Sequence, residues 1–178
     1  MTTDIIIRPT IKEDLPAIRN ILNDVIAGTD YYLSEKLKTA KDMERWFDEH
    51  QDDDRYFALT ALCGNDFAGW VSLSSFRKAD GYNISAELSI YVHPEHHRKG
   101  IADKLIWTIE DVAYKKGLIH CIISVITANN TASIALHEKH GYKTTGIFKE
   151  IAYKNGAYRD VVMMSKLLVR PDSESSKL

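Results

Sequence analysis

Apolar and polar residues along the chain follow two periods, which predict seven strands and four helices. Apolar residues at every third or fourth position indicate helices, whereas alternation or short apolar runs indicate strands. The predicted strands are 4–9, 55–62, 67–76, 84–93, 119–127, 142–154 and 159–168. The predicted helices follow Thr10 as far as Gly28, span 39–50, begin near Gly100 and end at Gly117, and span 131–140. This order predicts an α/β (α+β) fold, a mixed central sheet with helices on both faces.

Two further predictions concern the start of the first helix and the strand 119–127. Thr10 and Glu13 have the spacing of a capping box, which predicts that they cap the first helix. The strand 119–127, IHCIISVIT, is apolar almost throughout, which predicts a strand that is covered on both faces.

Composition limits the kinds of partner that the chain would bind. It has 178 residues, a net charge of −2 and a pI near 6.4, which gives no overall attraction to nucleic acid or anionic lipid. No segment is long and apolar enough to span a membrane. The two cysteines, Cys63 and Cys121, are too few for a disulfide framework, which is typical of a cytoplasmic protein.

The length favours one domain, for which we predict residues 1–169, followed by a polar and disordered tail at 170–178. The tail ends in Ser176-Lys177-Leu178, which matches a peroxisomal targeting signal. Three residues are weak evidence, and we interpret the match as incidental.

The stretch YVHPEHHRKGIADKL, residues 91–105, joins a predicted strand to a predicted helix. The first turn of a helix carries backbone N–H groups without partners, and the helix dipole favours negative charge there. Gly100 and Ala102 are small enough for a ligand to approach the backbone, and Arg98 and Lys99 add positive charge. The pattern predicts a pyrophosphate-binding turn, although it matches neither a P-loop nor a dinucleotide fingerprint.

The histidines of this stretch raise two alternatives. His93, His96 and His97 suggest a zinc site, but no cysteine is near and HExxH is absent; the later stretch 137–140 reads HEKH. A nucleic-acid site is disfavoured because the basic residues occupy a single loop of a slightly acidic chain. We therefore predict no metal and no nucleic acid.

The segment IYVHPEHHRKGIA resembles the coenzyme A-binding segment of GNAT-superfamily acetyltransferases, whose pattern is [Q/R]-x-x-G-x-[G/A]. His97 stands at the Q/R position, which is a departure from that pattern. The stretches FRKADGY, NNTASIALHEKHGYKTTG and YKNGAYRDVVMM further resemble phosphinothricin and related L-amino acid N-acetyltransferases. The resemblance covers about residues 5–168 and implies the GNAT fold, acetyl-CoA as co-substrate and a homodimer.

The resemblance also implies roles for individual residues. Glu87 matches the family's catalytic glutamate, and removal of a proton from an ammonium group calls for such a base. His137 stands where many GNAT enzymes carry a tyrosine that protonates the thiolate, and the division of acid and base roles between the two stays open. The expected cofactor-binding residues are Tyr91, Val92, His97, Arg98, Lys99, Gly100, Ile101, Ala102, Asn130 and Ser133.

For the acceptor, Arg77 is expected to pair with a carboxylate, and Phe76 and Tyr82 to form walls of the pocket. The sequence thus predicts an acetyl-CoA-dependent N-acetyltransferase that acts on the α-amine of small amino-acid-like acceptors such as phosphinothricin, methionine sulfoximine or methionine sulfone. Two alternatives are acetylation of proteins or peptides, which calls for an open acidic groove, and a non-catalytic acyl-CoA-binding domain.

Overall fold

Seven strands form one mixed sheet in the order β1-β2-β3-β4-β5-β7-β6. The computed structural model describes residues 4–169, so the predicted tail and its Ser176-Lys177-Leu178 lie outside the described residues. The predicted order of elements is confirmed. The strands are β1 Ile5–Pro9, β2 Phe57–Cys63, β3 Asp66–Ser75, β4 Ser85–Val92, β5 Cys121–Thr127, β6 Lys143–Lys154 and β7 Ala157–Leu167. The helices are α1 Leu15–Gly28, α2 Ala40–Glu49, α3 Ile101–Lys116 and α4 Thr131–Lys139.

The helices cover the two faces of the sheet with separate apolar clusters. On one face α1 and α2 pack against Trp70 of β3, and Ile18 of α1 is fully buried there. On the other face α3 packs on the sheet through Leu105, Ile106 and Ile109, which are completely buried. Alternation along the strands explains the division, because neighbouring residues face opposite sides. None of the helices described between residues 4 and 169 is long and apolar enough to cross a bilayer.

The first helix begins differently from the prediction. Thr10 does not cap it, because its hydroxyl contacts Thr60 Oγ1 of β2 at 3.0 Å. Asp14 instead accepts from the Ile11 N–H at 3.0 Å and from both ends of the Arg8 guanidinium, at 2.7 and 2.8 Å. The capping-box prediction was wrong because the threonine hydroxyl contacts β2, and the sequence around residue 10 gives no sign of that contact.

The apolar strand β5 is covered fully on one face only. Ile122 and Ile126 belong to the α3 cluster, whereas Val125 on the opposite face is 39% exposed. The prediction of two covered faces was wrong, because Val125 stays exposed on the face where α1 packs mainly against β3 and β4.

The two parallel strands at the centre of the sheet separate after a short contact. β4 pairs with β5 only between Ser85–Glu87 and Cys121–Ile123, and the other strand pairs are antiparallel. β4 continues for five residues beyond Glu87 without a partner on its β5 side. A gap therefore opens in the sheet at Glu87.

Candidate active site

A cleft of about 310 Å³ lies between the helices α1 and α2 and the strands β3 and β4. Its floor contains Trp70 and Tyr91, whose rings stack with centroids 4.6 Å apart. Tyr32 and Trp46 add further aromatic surface, and the remaining lining residues are Ile18, Leu22, Met43, Ser72, Ser74, Ser89, Lys38, Asp42, Arg45 and Glu49. The cleft thus combines an aromatic wall with hydroxyl groups and charges of both signs.

Glu87 stands beside this cleft, on the same face of β4 as the cleft residues Ser89 and Tyr91. It lies directly opposite Ser74 of β3, which also lines the cleft. Burial raises the pKa of Glu87 above its ordinary value, and the positive charge of Arg77 partly offsets that rise. A carboxylate that is partly withdrawn from water in this way is suited to accept a proton near neutral pH.

The three residues predicted to contact the acceptor form one cluster after the end of β3. The Arg77 guanidinium lies over the Phe76 ring at 5.3 Å, and Phe76 packs edge-on against Tyr82 with centroids 5.8 Å apart. Arg77 and Tyr82 are both exposed, and Arg77 is close enough to Glu87 to influence its pKa. The structure therefore brings the predicted acceptor cluster to Glu87 but leaves it outside the lining of the cleft.

The predicted pyrophosphate-binding turn leads directly into α3. Arg98 and Gly100 both adopt left-handed backbone conformations, with φ of 61° and 77°. The Gly100 carbonyl accepts from Lys104 N at 3.1 Å, and no side chain caps the helix. The N–H groups of Ile101 and Ala102 thus have no partner within the helix. A Cβ on Gly100 would meet nothing within 4 Å, so the space beside this residue is open.

Charged side chains around this turn are already partly paired. Lys99 Nζ lies 3.3 Å from His96 Nδ1. Asp103, in the first turn of α3, contacts Lys139 Nζ at 2.6 Å and His140 Nε2 at 3.1 Å. The hydrogen bond from Lys139 holds the pKa of Asp103 below its ordinary value. These contacts offset the charge of Asp103, which leaves the helix N-terminus favourable for an anion.

Backbone groups of β4 face two different strands in alternation. The Ile84 carbonyl accepts from Cys121 N on the β5 side, whereas His93 N donates to the Ala68 carbonyl on the β3 side. Because successive residues of a strand direct their backbone groups to opposite sides, even-numbered residues of β4 face β5 and odd-numbered ones face β3. Beyond Glu87 the even-numbered residues therefore face the gap in the sheet.

This alternation separates Tyr91 from Val92, which were predicted together as cofactor-binding residues. Tyr91 directs its backbone groups to β3 and its side chain into the cleft. Val92 faces the gap, where its carbonyl accepts from His97 Nε2 at 2.9 Å. The His97 ring therefore turns back onto the end of the strand, and the Val92 N–H stays directed into the gap.

His137 lies on the buried side of α4. Its side chain is 2% exposed and meets the Tyr142 ring edge-on, with centroids 5.0 Å apart. Nδ1–H donates to the Ser133 carbonyl at 2.7 Å, so in the neutral ring Nε2 carries the lone pair. That Nε2 has no partner among the described residues. Burial lowers the pKa of His137, although the bond to Ser133 opposes this effect. Asn130 Oδ1 accepts from Ser133 N at 3.2 Å and so caps α4.

Two buried residues beside the cleft were missed by the sequence analysis. His50 joins α2 to Ser74 of the cleft wall, and Lys154 is fully buried at the end of β6. Lys154 Nζ donates to the carbonyls of Ile26, at 2.8 Å, and of Tyr32, and so fixes the loop that carries Tyr32. The only sequence signal near His50 was in β3, where Trp70, Ser72 and Ser74 alternate with apolar neighbours and so share one face that carries two hydroxyl groups. No local signal indicated Lys154.

The histidines near the turn show no metal-like arrangement. The rings of His93 and His96 lie 5.9 Å apart, and His97 is bonded to the backbone. Within residues 4–169, no three histidine, cysteine or acidic side chains lie close enough together to hold a metal ion.

A family profile described as "Acetyltransferase (GNAT) domain" matches residues 7–163 of this chain. The L-amino acid N-acyltransferase MnaT of Escherichia coli (strain K12) is 30% identical over 153 residues, which cover 86% of this chain and 88% of that protein. The L-methionine sulfoximine/L-methionine sulfone acetyltransferase of Salmonella typhimurium is 29% identical over the same shares of both chains.

Solved structures show the same similarity. A GNAT superfamily phosphinothricin acetyltransferase from Sinorhizobium meliloti, in complex with AcCoA, superimposes with a TM-score of 0.87 at 26% identity. The superposition covers 94% of this chain and 89% of that one. Sequence and fold are thus similar over nearly the whole length.

Proposed function

The chain belongs to the GNAT acetyltransferase family, and on this basis we propose that it transfers the acetyl group of acetyl-CoA to the α-amine of a small amino-acid-like acceptor. Phosphinothricin, methionine sulfoximine and methionine sulfone are the proposed acceptor types, because relatives carry these names. The observation that carries the proposal is the position of Glu87, which lies beside a cleft of about 310 Å³ at the point where β4 and β5 separate.

The turn at the start of α3 fits the pyrophosphate of coenzyme A. The N–H groups of Ile101 and Ala102 have no partner within the helix, and the space beside Gly100 is open. Arg98 and Lys99 add positive charge at the same turn. We propose that the pantetheine arm lies in the gap between β4 and β5, where the Val92 N–H is available to bind it.

The acceptor is proposed to bind with its carboxylate on Arg77 and its amine at Glu87. Arg77 is close enough to act on Glu87 electrostatically, and a guanidinium pairs well with a carboxylate. An α-amino acid carries both groups on one carbon, which is why we propose it as the acceptor class. The cleft is lined by Lys38 and Arg45 as well as by Asp42 and Glu49. This mixed lining differs from the open acidic groove that protein acetylation calls for.

In the proposed reaction Glu87 removes one proton from the acceptor's ammonium group. Bound acetyl-CoA supplies the acetyl group as a thioester. The nitrogen then forms a bond to the acetyl carbon, and the bond from that carbon to sulfur breaks. The second proton lost by the nitrogen neutralises the thiolate, and Glu87 releases its proton to solvent. A base in this position contributes about 10²–10⁴-fold to such reactions.

His137 stays a predicted catalytic residue, and its surroundings bear on which role it would take. A neutral ring with its proton on Nδ1 presents a lone pair at Nε2, which accepts a proton but does not donate one. Since burial also lowers the pKa of His137, the neutral form dominates near pH 7. We therefore propose no acid role for the resting form of His137. We assign the first deprotonation to Glu87 because it lies opposite Ser74 of the cleft, whereas His137 does not line the cleft.

We also propose a homodimer that forms along β6, in the cytoplasm. β6 is an edge of the sheet, and it exposes Ile147, Phe148, Ile151 and Tyr153 to between 49% and 60%. An exposed apolar edge strand favours pairing with a second chain. Free thiols at Cys63 and Cys121 fit a reducing compartment.

The dimer is tested by light scattering after size-exclusion chromatography. The wild type is expected at twice the chain mass, and Phe148→Glu at the chain mass. Trp107→Glu is the matched control, because Trp107 is 64% exposed on α3, away from β6. A wild type that runs at the chain mass would contradict the dimer.

The function is tested by following free thiol release from acetyl-CoA with a panel of amines. Turnover is expected with amino-acid-like acceptors and is expected to weaken when the acceptor's carboxylate is esterified. In Arg77→Gln the free acid and the ester should react equally well. Absence of turnover with every amine, despite binding of acetyl-CoA, would refute the proposal.

A further inference from the structure

His50 connects helix α2 to the cleft wall through its two ring nitrogens. It is 4% exposed and lies at the end of α2. Nδ1 lies 2.6 Å from the Trp46 carbonyl, and Nε2 lies 2.9 Å from Ser74 Oγ. The Trp46 ring, which also lines the cleft, is in contact with the His50 ring at 4.5 Å between centroids. His50 thus contacts two residues that line the cleft, Trp46 and Ser74.

The carbonyl of Trp46 determines which way these bonds run. A carbonyl only accepts, so Nδ1 of His50 carries a proton. In the neutral ring Nε2 then accepts, and the Ser74 hydroxyl must donate to it. Burial lowers the pKa of His50, opposed by the Trp46 bond and the charge of Glu49, which favours this neutral form. The Ser74 hydroxyl proton is therefore committed to His50.

The consequence is that Ser74 presents only lone pairs to its other neighbours. Its closest neighbour across the strands is Glu87, directly opposite it in the β3–β4 register. Side chains in such positions have their Cβ atoms about 4.5–5.5 Å apart. No hydrogen bond contributes to the pKa of Glu87, for which burial and Arg77 are the two influences. The Ser74 hydroxyl oxygen and the Glu87 carboxylate thus lie next to each other as two hydrogen-bond acceptors, with no donor group between them.

We propose that Ser74 and Glu87 together form the site that receives the acceptor's amino group, and that His50 is the positioning residue that keeps Ser74 a hydrogen-bond acceptor. An ammonium group has several N–H donors and a positive charge, which matches a carboxylate next to a hydroxyl oxygen. Hydroxyl or thiol acceptors offer a single donor and do not match. This inference rests on the proposed function and specifies its acceptor as a primary amine that binds as the cation.

The test compares Ser74→Ala, His50→Phe and the double variant in steady-state kinetics. Each single variant is expected to lower kcat/KM for the amine about 10- to 100-fold, the effect of one hydrogen bond to a charged group. The dissociation constant for acetyl-CoA, measured by titration calorimetry, should stay unchanged. If His50 acts through Ser74, the double variant should be no worse than Ser74→Ala.

Ser124→Ala is the matched control. Ser124 is a buried serine of β5 whose hydroxyl has no partner among the described residues, and it does not line the cleft. Its replacement should leave the kinetics unchanged. His50→Gln is a second variant that retains hydrogen-bonding capacity at the same position, and it is expected to recover part of the activity lost in His50→Phe.

The outcomes separate this inference from the proposed function. If the wild type acetylates amines but Ser74→Ala is as active as the wild type, the inference is wrong and the function stands. Independent, multiplicative losses in the double variant would also overturn it, because His50 would then act by another route. If the wild type acetylates no amine, the proposed function itself fails.

Discussion

Replacement of Gly100 by alanine separates the structural and the binding roles of the turn that enters α3. Gly100 has a φ of 77°, a conformation that costs an alanine about 1–2 kcal/mol. The added Cβ would meet no protein atom within 4 Å, so no clash adds to that cost. The expected loss of stability is therefore about 1–2 kcal/mol, or a Tm lower by about 2–8 °C.

The Gly100→Ala substitution should weaken the binding of acetyl-CoA more than it lowers the stability of the fold. The new methyl group would add bulk to the residue directly before the unpaired N–H groups of Ile101 and Ala102 and would strain its backbone at a φ of 77°. Loss of one such bond to a phosphate is worth about 1.5–3 kcal/mol. The dissociation constant for acetyl-CoA should therefore rise about 10- to 100-fold.

Gly156→Ala provides the control for this measurement. Gly156 has a φ of 75°, and a Cβ there also meets nothing within 4 Å, but it lies in the turn between β6 and β7. Both variants should lose similar stability by thermal unfolding, whereas calorimetry should show weaker acetyl-CoA binding in Gly100→Ala alone. Equal effects of the two variants on the dissociation constant would refute the assignment of the pyrophosphate site.

Four further predictions concern charged groups. Glu87→Gln should lower kcat about 100-fold or more. Arg77→Gln should move the acid limb of kcat/KM to higher pH, because the charge of Arg77 holds down the raised pKa of Glu87. An acid limb that stays at the same pH in the pH-rate profile would contradict this. Lys154→Met should cost about 1–3 kcal/mol by leaving two carbonyls unpaired, and it should raise KM for the amine without changing the dissociation constant for acetyl-CoA; equal weakening of both would indicate general disorder. Asp14→Asn should cost about 2 kcal/mol in denaturant unfolding at pH 7, because it breaks a largely buried pair with Arg8. Although burial opposes the shift, hydrogen bonds led by that of Arg8 hold the pKa of Asp14 below its ordinary value, so its contribution to stability is present above about pH 4 and is lost as the pH falls; an unchanged gap between wild type and variant at pH 3 would contradict this.

Local features of the chain were predicted well because their causes are local. The bounds of α2 and α3 follow from apolar spacing and from Thr39, Gly100 and Gly117 at their ends, and the structure confirms them. Each of these signals lies within a few residues of the element that it predicts. Predictions failed where a distant group intervened, as at Thr10, whose hydroxyl contacts Thr60 instead of capping α1.

The cleft depended on contacts between residues that are far apart in the chain. Glu87 was predicted because its segment resembles that of GNAT acetyltransferases. Its neighbour Ser74 follows only from the β3–β4 register, and His50 comes from the end of a helix 24 residues before that serine. Lys154 is 122 residues from Tyr32, whose carbonyl it binds. Hydrophobic periodicity predicts which face of a strand or helix a residue occupies. It does not predict which side chain of a neighbouring element lies next to that residue.

The sequence by itself determined the order of strands and helices and predicted an anion-binding turn at residues 98–102, because backbone conformation and free helix N–H groups depend on consecutive residues. Only the tertiary structure decided that β4 and β5 separate at Glu87, that His137 is packed against Tyr142, and that His50 and Ser74 stand beside the carboxylate. These arrangements result from strand register and helix packing, which are set by the whole core at once.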